Sequence, residues 1–256
     1  MNTARKGMVV SNREIAPGIY DMTIHCPKAA EQAQCGQFIH VLCQGGGAFL
    51  RRPISVCDSD EKNIRIVYEV KGEGTRLLSR YRQGGMVDFL GPLGHGFTVD
   101  KKAKNPLVIG GGIGVYPLLK LAKSLNAPRI FLGFRSASRI TLAEEFEKIG
   151  PLEVATDDGS YGYHGLVLDL AKRFLENNQS ERIYACGPRP MLKAVKELAE
   201  SRGIPAEISM EERMGCGIGA CLVCACKTKA PDGWKHSHVC KDGPVFDSRD
   251  VIFEEE

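Results

Sequence analysis

Four cysteines toward the end of the chain, Cys216, Cys221, Cys224 and Cys240, are the residues whose types and spacing most directly imply chemistry. The first three stand as C-x4-C-x2-C within Met214-Gly215-Cys216-Gly217-Ile218-Gly219-Ala220-Cys221-Leu222-Val223-Cys224, and the fourth follows after a loop. That spacing is the one by which four thiolates hold a [2Fe–2S] cluster, a one-electron carrier. The sulfides of such a cluster are negative, so the surrounding backbone must curl inward and aim N–H groups at sulfur, in conformations that glycine reaches at little cost. Gly215, Gly217 and Gly219 are expected to serve that need. Structural zinc also takes four cysteines, but usually as two close C-x2-4-C pairs, whereas three crowd one loop here. Disulfides are the other use open to ten cysteines. The opening residues lead into a strand-like stretch without an apolar signal region, so a cytoplasmic protein with reduced thiols is expected. Cys226 lies two residues past Cys224, yet only one assignment keeps the spacing, and Cys226 reads as a non-ligand.

A second chemistry is written in glycine. Leu107-Val108-Ile109-Gly110-Gly111-Gly112-Ile113-Gly114-Val115-Tyr116-Pro117 sets a glycine run between a buried strand and a helix that starts with proline. Gly110, Gly111, Gly112 and Gly114 would let a pyrophosphate approach the backbone, and the helix start would offer it free N–H groups. The spacing departs from G-x-G-x-x-G, and a tight turn chosen for packing is the competing reading. Cys186, Gly187 and Pro188 form a second such turn after another expected strand. In an open parallel sheet both turns lie on the rim at the carboxyl ends of the strands, so together they mark one crevice for one dinucleotide ligand. Arg135, after the next strand, leaves NADP open.

Nearer the start, Arg51-Arg52-Pro53-Ile54-Ser55 offers a guanidinium fork suited to phosphate and a hydroxyl suited to the edge of a flavin ring. Val70 to Leu78 runs from a strand through Gly74 and Thr75 into a short helix, again placing donors at a helix start. His95, in the turn Leu90 to Phe97, has no carboxylate or nucleophile partner in sequence and reads as a turn residue.

The elements that must position these groups change character near residue 100. Before it, Gly7 to Asn12, Ile19 to His25, Gln37 to Leu42, Arg52 to Cys57, Asn63 to Val70 and Met86 to Leu90 read as antiparallel strands closing into a small barrel. After it, Leu107 to Ile109, Ile130 to Phe134, Leu152 to Ala155, Arg182 to Ala185 and Ala206 to Ser209 read as strands. They alternate with helices over Tyr116 to Leu125, Leu142 to Ile149, Leu166 to Glu176 and Pro190 to Arg202, the last closed by Gly203. That alternation implies a parallel sheet with helices on both faces. From about Glu211 neither periodicity is visible, and this region is expected to be held by its metal. The expected organisation is a flavin-binding β-barrel over residues 1–100, a nucleotide-binding α/β domain over 101–210 and a small iron–sulfur region over 211–256. With 256 residues, 43% of them hydrophobic, the chain has ample material for two cores. A net charge of +3 without a long basic run gives no footprint for nucleic acid. The longest uncharged apolar stretch, residues 106–119, is too short to span a bilayer.

Jointly these motifs resemble the ferredoxin–NADP reductase superfamily, in which a flavin-binding barrel precedes a nicotinamide-binding domain, and the resemblance covers essentially the whole chain. Within it, Glu212 to Cys221 and Cys240 to Phe246 are similar to the electron-transfer subunits of type B dihydroorotate dehydrogenases. The resemblance implies FAD held by Arg52, Pro53, Ile54 and Ser55, by Val67, Tyr68 and Glu69 beside the ring, and by Gly74 and Thr75 at the pyrophosphate. It implies a catalytic partner subunit carrying FMN, in a heterotetramer of two of each, which oxidises dihydroorotate in pyrimidine biosynthesis. Electrons then cross the [2Fe–2S] centre and FAD to NAD+. No site for oxidising a pyrimidine is visible in this chain. Two readings stand beside this one: the flavin and iron–sulfur subunit of a related NAD(P)H:ferredoxin oxidoreductase, sulfide dehydrogenase or hydrogenase, and a non-enzymatic zinc-stabilised module, which would be colourless.

Overall fold

The computed structural model describes residues 4–43, 45 and 49–254. Six strands, β1 (Ala4–Ala16), β2 (Ile19–His25), β3 (Phe38–Leu42), β4 (Arg52–Ser59), β5 (Asn63–Glu69) and β6 (Met86–Leu93), close into a barrel in the order β1-β2-β5-β4-β3-β6. All its pairings are antiparallel. Two short helices, α1 (Pro27–Ala30) and α2 (Glu73–Leu78), interrupt the strand succession. Strand side chains alternate between faces. Ile39, Val41, Ile54, Val56, Ile64 and Ile66 fill the barrel, while Val67 and Cys57 face outward into a second core shared with the following domain. A fully buried aliphatic side chain contributes roughly 1.5–3 kcal/mol. A one-residue slip would move that whole set to the wrong face, so register is strongly specified.

The second part alternates as expected apart from the added two-residue strand β10: β7 (Leu107–Gly111), α3 (Tyr116–Ser124), β8 (Arg129–Phe134), α4 (Ala143–Glu147), β9 (Leu152–Thr156), β10 (Tyr163–His164), α5 (Val167–Asn177), β11 (Ile183–Cys186), α6 (Arg189–Arg202) and β12 (Ala206–Ser209). The strands from β10 across to β12 are parallel. Helix α6 stops at Gly203, whose φ of 65° is the left-handed conformation a helix end uses. Helix α4 starts one residue later than expected, because Leu142 takes a left-handed φ of 59°.

One expectation fails in the last region, which is not held by metal ligation alone. It contains a hairpin of β13 (Ala225–Ala230) and β14 (Gly233–His238), and a strand β15 (Val245–Asp247) that pairs antiparallel with β12. The large sheet is therefore seven-stranded, in the order β10-β9-β8-β7-β11-β12-β15. Cys224, Cys226, Val239, Cys240 and Val251 are buried in one core with Leu107, Ile109 and Ala185.

The barrel is clamped to the sheet domain by charge. Arg65 on β5 donates to both carboxylate oxygens of Asp21 and, at 2.8 Å, to both of Glu145 on α4. Lys123 on α3 reaches Asp58 at 2.5 Å, and Arg139 pairs with Glu69. Among the described residues no helix is long and apolar enough to cross a membrane.

Candidate redox and nucleotide sites

The four spaced cysteines converge in space. Cys216 and Cys221 Sγ atoms lie 3.3 Å apart, and the Cys224 thiol contacts that of Cys240, giving two pairs. Backbone donors surround them: Gly219 N–H reaches Cys240 Sγ at 3.2 Å, and Ala220 and Ile218 N–H groups reach Cys216 Sγ at 3.3 and 3.5 Å. Gly217 and Gly219 make this possible with φ of 72° and 78°; Gly215, expected to share the task, adopts no left-handed conformation. Burial opposes ionisation of Cys216, but donation from Ile218, Cys221 and Ala220 outweighs it and brings the thiol down to about 6. Among the described residues no three His, Cys, Asp or Glu side chains crowd one point as a single metal ion would need. Two thiol pairs under N–H donors fit a two-iron cluster with two thiolates on each iron. Cys226 sits on β13, buried in the core, with its thiol pushed up to about 11 by burial. All ten cysteines are free, so the disulfide reading is set aside.

Two barrel histidines seat the ligand segments. His95 Nδ1 donates to the Lys241 carbonyl at 2.7 Å and its backbone N–H to Gly243 O at 2.6 Å, tying the end of the barrel to the residues after Cys240. His40 on β3 is wholly buried beneath the loop that carries Cys216, and a Cβ on Gly217 would fall 2.3 Å from its Nδ1. Burial drives the His40 imidazole down to about 4, so it is neutral at ordinary pH. Sequence reasoning missed His40. On the other side of the loop, Ile218, Leu222 and Val223 are 45%, 66% and 56% exposed.

On the barrel, His40 pairs with Pro53 across β3 and β4, and Phe38 with Ser55. Ile54 points into the barrel core. The guanidinium of Arg52 lies against Gly74, where a Cβ would come within 2.6 Å of Nε. Arg52 and the start of α2 thus form one cradle with donors of both kinds. Thr75 Oγ1 accepts from the Lys71 and Gly72 N–H groups at 3.0 and 3.3 Å, which shapes that turn. Arg51, its neighbour, is occupied by Asp88 at 2.6 Å. Of the three β5 residues, Val67 and Glu69 face the sheet domain, Glu69 pairing with Arg139 and, at 3.3 Å, Lys71. Tyr68 turns inward, stacked on Tyr20 with its hydroxyl donating to Asn12 at 3.1 Å, so only its backbone is free to meet a ligand outside.

The two glycine turns touch. Strands β7 and β11 are neighbours with Gly110 opposite Cys186, at the point where strand order reverses, the place where open α/β sheets bind ligands. A Cβ on Gly114 would lie 2.5 Å from the Cys186 carbonyl oxygen and 2.6 Å from Gly187 N, and one on Gly111 would meet Met191 and Pro188. Gly112 holds a φ of 55° at the turn itself. Cys186 is half-buried with its thiol against Ser209, pushed up to about 12 by desolvation.

Comparison with known proteins agrees with this geometry. Residues 211–252 match the family model of the iron–sulfur cluster binding domain of dihydroorotate dehydrogenase B. The chain is 40% identical over 253 residues to the dihydroorotate dehydrogenase B (NAD(+)) electron transfer subunit of Caldanaerobacter subterraneus subsp. tengcongensis, covering 99% of this chain and 100% of that one. It is 42% identical to the subunit of the same name from Geobacillus thermodenitrificans, over 95% and 96% of the two chains. Among solved structures, the NADH-dependent reduced ferredoxin-NADP oxidoreductase superposes with a TM-score of 0.86 at 29% identity, covering 98% of this chain and 91% of that chain. An Amycolatopsis cytochrome P450 reductase, 21% identical with a TM-score of 0.67 over 79% and 67% of the two chains, shares the fold. With its four converging cysteines inside the matched iron–sulfur segment, and matching these subunits from end to end, the chain belongs to the family of dihydroorotate dehydrogenase B electron transfer subunits.

Proposed function

We infer that this chain takes electrons from the FMN of a catalytic dihydroorotate dehydrogenase subunit and delivers them to NAD+, in a heterotetramer of two subunits of each kind in the cytoplasm. The observation that carries this is the seating of the cysteine centre, one side against the barrel strand paired with Pro53 and the other flanked by exposed Ile218, Leu222 and Val223. A cluster held there has a protein partner's surface on one side and the flavin strand on the other. Flavin chemistry joins one-electron traffic at an iron–sulfur centre to hydride exchange at a nicotinamide.

This chain's residues then act as holders. Arg52, with the start of α2 at Gly74 and Thr75, would bind a pyrophosphate. Pro53 and Ser55, on the same outward face of β4 as each other, would border the flavin ring together with the backbone of Val67 to Glu69. Gly110, Gly111, Gly112 and Gly114, with Cys186, Gly187 and Pro188, would receive the dinucleotide, and Cys216, Cys221, Cys224 and Cys240 would ligate the cluster. Residues 1–100, 101–210 and 211–256 serve as the flavin, nucleotide and cluster regions. The likeness to a reduced ferredoxin-NADP oxidoreductase, with Arg135 exposed after β8, favours as a second reading a ferredoxin-linked NADP enzyme.

One assay separates the two. Co-expressed with the catalytic flavoprotein, the purified complex should reduce NAD+ with dihydroorotate. A complex that leaves NAD+ untouched but reduces NADP+ with reduced ferredoxin would transfer the chain to the second reading.

A further inference from the structure

Among the described residues of the barrel His40 is the completely buried histidine, and neither ring nitrogen makes a well-formed hydrogen bond, its polar neighbours being the backbones of Arg51 and Cys216 at poorer geometry. Buried polar atoms are nearly always partnered, so such a ring needs a reason. Its surroundings supply one. The ring abuts Gly217 so closely that even a methyl group there is excluded, and the polar groups facing it are the backbones of Arg51 and Cys216. Its own strand pairs it with Pro53. The imidazole therefore spans the interval between the flavin strand and the first thiolate ligand, in a place shielded from water. An apolar residue would fill this volume without leaving a polar ring unsatisfied, and its neighbours Ile39 and Val41 are apolar and equally buried.

We propose that His40 is a positioning residue for the iron–sulfur centre: its ring nitrogen, aimed at the Cys216 to Gly217 backbone from the strand that pairs with Pro53, fixes how the first thiolate ligand sits relative to the flavin strand. Gly217 is the complementary half of the device, because its missing side chain lets the ring reach the loop. Buried polar contacts of this kind act in a low dielectric, where a small change of placement is felt strongly by neighbouring charge. Outer contacts of this sort orient ligands and tune the metal they hold.

The inference rests on the cluster assignment above, and the two fail differently. Iron and acid-labile sulfide absent from the purified wild-type protein would remove the cluster assignment itself. The test proper compares wild type, His40→Leu and His40→Asn by the electron paramagnetic resonance spectrum and midpoint potential of the reduced cluster. Leucine fills the space without a polar atom, and asparagine places an amide nitrogen near the position of Nδ1. His40→Leu is expected to shift the g values and the potential, and His40→Asn to restore both toward wild type. Identical spectra and potentials in all three, or equal shifts in both variants, would overturn the proposal. Should His40→Leu be recovered without iron, Gly217→Ala crowds the same contact from the loop while leaving the barrel sequence intact. It is expected to shift the same two quantities, and an unshifted Gly217→Ala spectrum would overturn the proposal as well.

Discussion

Gly114→Ala tests the claim that the two glycine turns form one rim. Its φ is not left-handed, so alanine is conformationally acceptable there and, by restricting the unfolded chain, would by itself stabilise by about 0.4–1 kcal/mol. Contact decides the sign. The new Cβ meets Cys186 O at 2.5 Å, Cys186 C at 2.6 Å and Gly187 N at 2.6 Å, all backbone atoms, so no side chain can swing away. Relief needs the turns to part by about 1 Å, and overpacking of this kind costs about 1–3 kcal/mol. The net loss is centred at about 1.3 kcal/mol and reaches at most about 2.6 kcal/mol, which lowers the melting temperature by roughly 2–4 °C per kcal/mol in a protein of this size. Gly187→Ala is the internal control. Its Cβ meets the Cε and Sδ atoms of Met191 at 2.5 and 2.9 Å, the far end of a flexible side chain that can re-aim, and one backbone atom, Gly111 N, at a looser 3.2 Å.

The functional consequence follows from the same displacement. A misplacement near 1 Å at a binding rim costs up to about 10²-fold in rate. Gly114→Ala should therefore lose roughly 10- to 100-fold in kcat/KM for NADH-dependent dye reduction, and Gly187→Ala should lose less in both stability and rate. Differential scanning calorimetry and steady-state kinetics on the flavin-loaded protein read both quantities. A Gly187→Ala loss equal to or larger than that of Gly114→Ala would refute the reasoning, because it would mean that backbone contact between the turns does not set the rim.

Two further outcomes are expected. Cys221→Ser should bleach the iron–sulfur absorbance and stop electron exchange with the partner while NADH-to-dye activity persists; loss of both together in a folded protein would contradict separate sites. The Glu145 carboxyl is held below its ordinary value of 4.5 by hydrogen bonding to Arg65. A depressed carboxyl stabilises the fold fully above its unfolded pKa and loses that contribution as pH falls through the folded value. Glu145→Gln should therefore flatten the acid limb of a stability-versus-pH curve below about pH 4.5, as read by urea unfolding at stepped pH. An unchanged slope there would show that Arg65 does not clamp α4 to the barrel.

Much of the fold was legible in the chain because its elements obey clean periodicities. Ile19–His25 and Ala206–Ser209 fall where alternation and strand-helix rhythm put them. The hairpin of β13 and β14 escaped for a physical reason: its inward positions are Cys226, Thr228 and Ser237, small polar or sulfur side chains that leave no hydrophobic period. Its turn signal was present in Pro231-Asp232-Gly233, with Gly233 at a φ of 116°. Strand β10 has two residues and β15 three, lengths that carry no pattern at all. The convergence of the four cysteines was readable because three of them stand within one short loop. His40 was not, because its relation to Gly217 exists only after barrel and cluster loop meet, and in Phe38–Leu42 a strand buried on both faces shows no alternation to mark an odd residue.

The last forty or so residues do more than hold sulfur. After Cys240 the chain bonds to the barrel through His95 at Lys241 and Gly243, and then, at Val245, joins the edge of the nucleotide sheet. Gly94 permits this closeness, since a Cβ there would stand 2.5 Å from Gly243 O. A ligand segment tied within five residues to both other parts cannot drift relative to either. The Arg65 clamp lies on different elements, β2, β5 and α4, so barrel and sheet are joined at independent places. Rigid joints on separate elements are what an electron relay requires of a protein, because its centres must keep fixed separations while the cofactors themselves supply the chemistry. The placement of β15 thus explains why the cluster region is built onto the sheet edge rather than hung from a linker.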